Sequence, residues 1–364
     1  MNAQPINLNT LSSILNFVTS NTDRTEWVRN LMAIKSEFGD DAKELAQSWS
    51  ATATNFKPKD FKDTWKSIKP AGGVSIGSLI HSAMQNGFKF EPMTTAQKKR
   101  LDREAKQRKA EQAKAQAIEA QRLNDQYQQV SEQAYKILEQ ATPAPDNHPY
   151  LIKKGIGTNG VLFGNVLNYQ NALIIPLTGI DKPFIGEVQS LQFIQPDGQK
   201  RYLSGGKKAG GFYPIQWIDD APIVICEGFA TGATLAEHYT PFSSVICAFD
   251  SGNLKAIAKA FRSQHPTAQI IIAGDNDHQT ERNTGTNIGQ QKAIEAAKSV
   301  NGIVSLPQFA PNEAGSDWND RLQSKHGARS CTQTYVAAHT WDALACAGAA
   351  LTTGSMETQR WGSA

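Results

Sequence analysis

A chain of 364 residues is too long for one ordinary domain and predicts two or three. Its 40% hydrophobic content can fill at least one core. A formal net charge of only +3 excludes a polycation that binds nucleic acid through total charge, so any such affinity must come from local patches. Cys226, Cys247, Cys331 and Cys346 form no C-x-x-C pair, which argues against a Cys-based zinc module. Cys226 and Cys247 lie in apolar runs and read as buried free thiols, with no oxidising compartment implied. The N-terminus has no basic segment followed by an apolar stretch, and no run of about 18 apolar residues occurs. A soluble, cytoplasmic protein without a membrane partner is expected.

Residues 8–90 read as an all-α module. Leu11, Ile14, Leu15 and Val18 keep helical spacing, as do Trp27, Leu31, Ile34 and Phe38, with Asp23 as N-cap and Gly39 as stop. Leu45 and Trp49, then Phe61, Trp65 and Ile68, continue the pattern. A last apolar face runs through Ile76, Leu79, Ile80 and Ala83 between Ser75 and Gly87. Three tryptophans supply this core. Residues 93–142 hold no Gly or Pro and few apolar residues, so they predict one long, solvated helical linker. Its early stretch "KKRLDREAKQRK" is distinctly basic, which suits either solvation or nucleic-acid contact.

"TPAPDNHPYL" breaks that helix. Short β-type runs such as "VLFGNVL", "ALIIPL" and "FIGEVQSLQFI" then predict a mostly antiparallel subdomain over 145–218. From 221 to 328 continuous apolar strands alternate with amphipathic helices, the pattern of a parallel sheet covered on both faces. The overall expectation is a multidomain α+β and α/β chain. The tail over 330–364 is weakly patterned and is given no function.

The functional crevice of an open parallel sheet lies at the carboxyl ends of its strands. Glu227 follows "IVIC", Asp250 follows "VICAF", and Asp275 and Asp277 end "IIIAGDND". "GSDWNDRL" adds Asp317 and Asp320. Residues i and i+2 of a strand point the same way, so Asp275 and Asp277 project together if the strand persists. Two carboxylates at ~4 Å repel by about 1 kcal/mol in water, and by several times that near a protein. A counter-charge is needed, and oxygen donors without a His/Cys set favour Mg²⁺ or Mn²⁺. Upstream, "SGGKKAGG" joins glycines to Lys207 and Lys208, as a phosphate-binding loop does, although a solvated glycine hairpin has the same composition.

"VICEG" around Glu227 and "AGDND" around Asp275 and Asp277, in this order of strands and helices, resemble the Toprim domain of DnaG-type primases, topoisomerases and some nucleases. The resemblance implies Glu227 as general acid/base and Asp275 and Asp277 as metal ligands. "GSDWNDRL" looks like the trailing acidic segment of plasmid and phage primases, which makes Asp317 a further metal-side residue and leaves Asp250 and Asp320 secondary. "HPYLIKKGI", "GEVQSLQFIQPDGQKRYLSGGKKAGGFY" and "EGFATGATLAE" are similar to the primase core of mobile elements. Lys200, Arg201, Lys207 and Lys208 match the part of that core that carries template and nucleotide. The segment from "DRTEWVRNLMAIKSEFG" to "GVSIGSLIHSAMQNG" is similar to a helical module attached to such primases. No zinc-ribbon Cys/His set and no G-x-x-x-x-G-K-[ST] occurs, so site selection and unwinding fall to other components, a separate replicative helicase among them. The expected activity is Mg²⁺-dependent synthesis of RNA primers from ribonucleoside triphosphates on single-stranded DNA. A DNA-nicking Toprim nuclease and a non-catalytic single-stranded-DNA-binding accessory are the alternatives.

Overall fold

Asp23 stops the chain from entering a helix one residue early: its carboxylate accepts the Glu26 backbone N–H at 2.8 Å and caps helix α2 (Arg24–Phe38). Gly39, at φ +63°, ends that helix in a conformation that favours glycine. The computed structural model describes residues 6–68, 74–310 and 312–324. The tail over 330–364, with Cys331 and Cys346, lies outside the described residues. The chain divides into two units, Met1–Arg122 and Leu123–Ala364.

In the first unit α2 packs with α1 (Leu8–Leu15), α3 (Lys43–Ser50), α4 (Pro58–Ser67) and α5 (Ile76–Gln85). Their apolar stripes bury Leu11, Ile14, Leu31, Ile34, Phe38, Phe61 and Leu79 completely or nearly so. Each such side chain contributes about 1.5–3 kcal/mol relative to exposure. Trp49 and Trp65 are buried and Trp27 is partly buried. Each indole N–H finds an acceptor: Val18 O for Trp49, Asp40 for Trp65, Ser50 for Trp27.

Helix α6 spans Thr95–Gln140, close to the expected 93–142. It is not solvated throughout. Leu101 is buried in the first unit, where Arg108 pairs with Glu37 and lies over the Phe38 ring. In the second unit Val130 and Ala134 are buried, with Ile137, Leu138 and Ala141 beside them, against Ile174, Leu191 and Phe193. These positions recur at three- and four-residue steps, a short stripe that averaging over 46 residues hides.

The second unit is built on one 10-stranded sheet. Strands β1 (Thr142–Pro143), β2 (Leu162–Val166), β3 (Tyr169–Gly179), β4 (Val188–Ile194), β5 (Lys200–Tyr202) and β6 (Gly211–Gln216) pair antiparallel, with the short helix α7 (Pro149–Lys154) between β1 and β2. Strands β7 (Ile223–Cys226), β8 (Ser244–Cys247), β9 (Ile270–Ala273) and β10 (Ile303–Ser305) pair parallel, in the order β8-β7-β9-β10. The parallel part is covered as its apolar strands predict. Val224, Cys226, Val245, Cys247, Ile271 and Ala273 face α8 (Phe229–Thr234) and α12 (Trp318–Gln323). Ile223, Ile225, Ile246, Ile270 and Ile272 face α9 (Leu254–Gln264) and α11 (Ile288–Ser299). Strand β6 pairs antiparallel with β8, so the two regions read separately from sequence share one continuous sheet. A short helix, α10 (His278–Thr284), follows β9 and was not expected. Cys226 and Cys247 are buried and unbridged, as expected.

Candidate acidic site at the strand ends

Chain order runs β7, β8, β9, while spatial order runs β8-β7-β9. The chain therefore reverses direction across β7, and a crevice opens between the carboxyl ends of β7 and β9. Cys226 lies opposite Ala273 in register. Glu227 and Asp275 follow within two residues on these neighbouring strands, so both enter the crevice. Burial pushes the Glu227 carboxyl up to about 7, and the charges of Asp277 and Asp250 add to it, while the Asp275 backbone N–H works the other way. Burial likewise pushes Asp275 up to about 8, helped by Glu227, Asp317 and Asp277 and opposed by Lys200. The two titrate as a pair. Glu227 Oε1 and Asp275 Oδ1 are buried without a hydrogen-bond partner.

Asp277 stays within electrostatic reach of both but does not project beside Asp275 as a strand repeat requires. Strand geometry ends at Ala273, and Asp277 sits at φ −73°, ψ 43°. Its Oδ2 accepts the Gly289 N–H at 2.9 Å, at the start of α11, where unpaired amides and the helix dipole favour an anion. Asp317 caps α12 through the Asp320 N–H at 2.7 Å and faces both Asp275 and Tyr150. Asp320 accepts the Ser316 N–H and lies 3.7 Å from the Lys154 ammonium.

Asp250 is held differently. Phe249 adopts φ +68°, a strained conformation for an aromatic residue, and turns the chain as it leaves β8. Asp250 Oδ2 then meets Lys208 Nζ at 2.6 Å, and that ammonium lies 4.7 Å from the centre of the Tyr202 ring. Lys207 lies 3.7 Å from Asp181. The glycine loop is tied down as well. Gly210 N–H donates to Asn253 Oδ1 at 2.8 Å, Asn253 Nδ2 donates to Gly211 O and Ala248 O, and Gln189 Nε2 donates to Lys207 O and Ala209 O. Gly206 and Gly211 amides bond within the loop. Lys207, Lys208 and three glycine amides thus already have partners.

Lys200 is exposed, in no ion pair among the described residues, and sits over Gly228, 3.9 Å from where a Cβ would stand. It is the basic residue whose charge acts on Asp275. Arg201, the next residue of β5, is exposed and approaches the Lys200 carbonyl; alternation along the strand separates it from Lys200 and Tyr202.

Two organising residues escaped sequence reading. Asn287, 3% exposed, accepts the N–H groups of Asp277 and Gln290 and donates to Asn276 and Glu281. Asn253 clips the glycine loop to the end of β8. Both precede apolar helical patterns, so sequence identifies them only as helix caps.

Hard oxygen donors, two of them buried and without a donor partner, fit a divalent cation. Among the described residues no group of three His, Cys, Asp or Glu side chains is arranged to ligate one ion. Gly289 keeps the loop in place: a Cβ there would stand 2.6 Å from Asp275 O and 3.2 Å from Asp277 Oδ2. Gly289→Ala is expected to cost about 1–3 kcal/mol of stability and to weaken stabilisation by Mg²⁺. Thermal unfolding with and without Mg²⁺ measures both, and wild-type behaviour would show that this close approach is dispensable.

Residues 222–328 match the Toprim domain, and residues 11–83 match the family Primase C terminal 2 (PriCT-2). The chain thus joins a PriCT-2 module to a Toprim domain. It is similar to two proteins of Escherichia coli called DNA primase TraC. One is 38% identical over 199 residues, covering 53% of this chain and 18% of that protein. The other is 43% identical over 132 residues, covering 35% and 9%. The chain therefore spans less than a fifth of either relative. Among solved structures it resembles the primase fragment of the bacteriophage T7 primase-helicase protein at 18% identity, with a TM-score of 0.34 over 46% of this chain and 68% of that one. Primase domains in a T7 lagging-strand DNA polymerase complex with an RNA/DNA hybrid and dTTP give 16% identity and a TM-score of 0.34, covering 49% and 86%.

Proposed function

We propose that this chain is a DNA primase that joins ribonucleotides into short primers on single-stranded DNA during replication or transfer of a plasmid or phage. The observation that carries the reading is the pair Glu227 and Asp275, buried at the ends of adjacent strands, each with an oxygen lacking a donor. The similarity to proteins called DNA primase, together with the Toprim match over residues 222–328, supports it. Asp275 would hold Mg²⁺ or Mn²⁺, with Asp277 and Asp317 adding negative charge nearby; the ion when bound would supply positive charge to the nucleotide's phosphates. Glu227, poised near neutrality, suits acceptance of the proton from an attacking 3′-OH. Lys200 is the cation free to meet a triphosphate. Lys208 would act through its pair with Asp250, fixing the glycine loop and the Tyr202 ring beside the crevice. Arg201 and Lys207 would meet the template. A separate helicase would supply unwinding. No helix of the described residues is long and apolar enough to cross a membrane.

Incorporation of labelled ribonucleotides on single-stranded templates with Mg²⁺ tests the reading. Template-dependent oligoribonucleotides are the expected product. Absence of such products, with nicking of supercoiled plasmid by the same protein without nucleotides, would replace it with a nuclease.

A further inference from the structure

The basic start of α6 has no place in the Toprim chemistry, and the first unit carries a groove beside it. The groove, of about 470 Å³, is lined by Asn9, Ser13, Phe17, Lys89, Phe90 and Arg100 among others. Its aromatic wall is continuous: Phe17 meets Phe88 edge-on at 5.6 Å, and Phe88 meets Phe90 at 5.0 Å. Phe88 is buried and holds the other two, while Phe17 remains 39% exposed. Asn86 Nδ2 donates to Phe17 O at 2.8 Å and fixes the backbone that presents this ring.

Over residues 98–109 seven Lys or Arg face two acids in the sequence. Arg108 and Lys109 pair with Glu37, and Arg100 lies 3.5 Å from Glu104 on the exposed helix face. Lys98, Lys99, Arg103 and Lys106 are exposed and in no ion pair among the described residues. Lys89 is exposed at the groove itself, where Glu91 is the acid on the rim. The exposed Phe17 ring beside Lys89, Arg100 and amide side chains matches single-stranded nucleic acid, whose bases stack while its phosphates seek charge. A protein partner would instead favour a patch core depleted of lysine.

We propose that this groove binds single-stranded DNA, with Phe17 as a base-stacking platform and Lys89 and Arg100 as phosphate contacts. The choice of DNA rests on the primase reading, in which the template is single-stranded DNA. The groove lies within the first unit and needs no metal.

The test is fluorescence anisotropy of a labelled oligothymidylate with the full chain in EDTA. Phe17→Ala is expected to weaken binding about tenfold, and Phe17→Trp, which keeps a ring, to retain it. Lys89→Ala with Arg100→Ala is expected to lower the salt slope by about one per cation. Wild-type affinity in Phe17→Ala, with an unchanged slope in the double variant, would overturn the proposal. So would a clear preference for oligouridylate. Because Phe17 is partly exposed, melting temperatures matching wild type confirm intact variants. A protein that makes no primers yet binds DNA through Phe17 would refute the primase reading and leave this site standing.

Discussion

Asp275→Asn is expected to reduce ribonucleotide incorporation by about 10²–10³-fold, the usual loss when one preorganised electrostatic group is removed from a transition state. The side chain keeps its shape, so the fold should survive. Its oxygen loses the negative charge that the crevice concentrates. Glu227→Gln should cost a similar amount, since Asn and Gln at these positions remove the same kind of charge from one buried pair. The double variant should be little worse than either alone, because residues acting as a unit are not additive. Lys208→Met should act more gently: it frees Asp250 and loosens the glycine loop but leaves both strand-end acids in place. Incorporation at saturating nucleotide separates these cases. If Asp275→Asn retains wild-type turnover, the crevice is not where the phosphates react.

The second large effect concerns stability. Both strand-end acids hold their protons to higher pH in the folded chain than in the unfolded one, Glu227 to about 7 and Asp275 to about 8. The unfolded chain releases these protons near pH 4. Between roughly pH 4 and 8 folding therefore takes up protons, and stability falls as pH rises through that window. Metal-free protein taken from pH 5 to pH 8 is expected to lose on the order of 6 kcal/mol from this pair, or roughly 12–24 °C in melting temperature. Mg²⁺ at pH 8 should restore most of it, because a cation favours the charged carboxylates. Asp275→Asn should flatten both the pH slope and the response to Mg²⁺. Melting curves in EDTA and in Mg²⁺ across this range decide the matter. Parallel wild-type and Asp275→Asn slopes would show that the pair carries no buried strain.

The strand-end acids were legible because a buried parallel strand is a continuous apolar run, and a charge placed straight after one stands out. Glu227 and Asp275 were read from that signal, and the structure brings them to one crevice. The positions of Asp277, Asp250 and Asp317 were not legible to the same degree. Each leaves its strand through a turn, and turn geometry, unlike strand period, does not propagate from neighbours. Asp277 turns toward α11, Asp250 toward Lys208, and Asp317 into a helix cap. The glycine loop misled for a related reason. "SGGKKAGG" has the composition of a phosphate cradle, but its amides are answered by Asn253 and by the loop itself, and a partner about 43 residues away leaves no local mark. The packed ends of α6 were hidden by dilution. Five apolar positions vanish in an average taken over a helix of that length.

The β6–β8 pairing sets how this protein can be cut. Strand β8 uses both edges, one toward β7 and one toward β6. A fragment beginning at 221 would strip β6 away, leaving the β8 edge and Phe261, which packs on Phe212 at 5.3 Å, open to water. Bare edges of that kind seek other chains. A piece that keeps this sheet whole thus starts near Leu123, where the second unit begins.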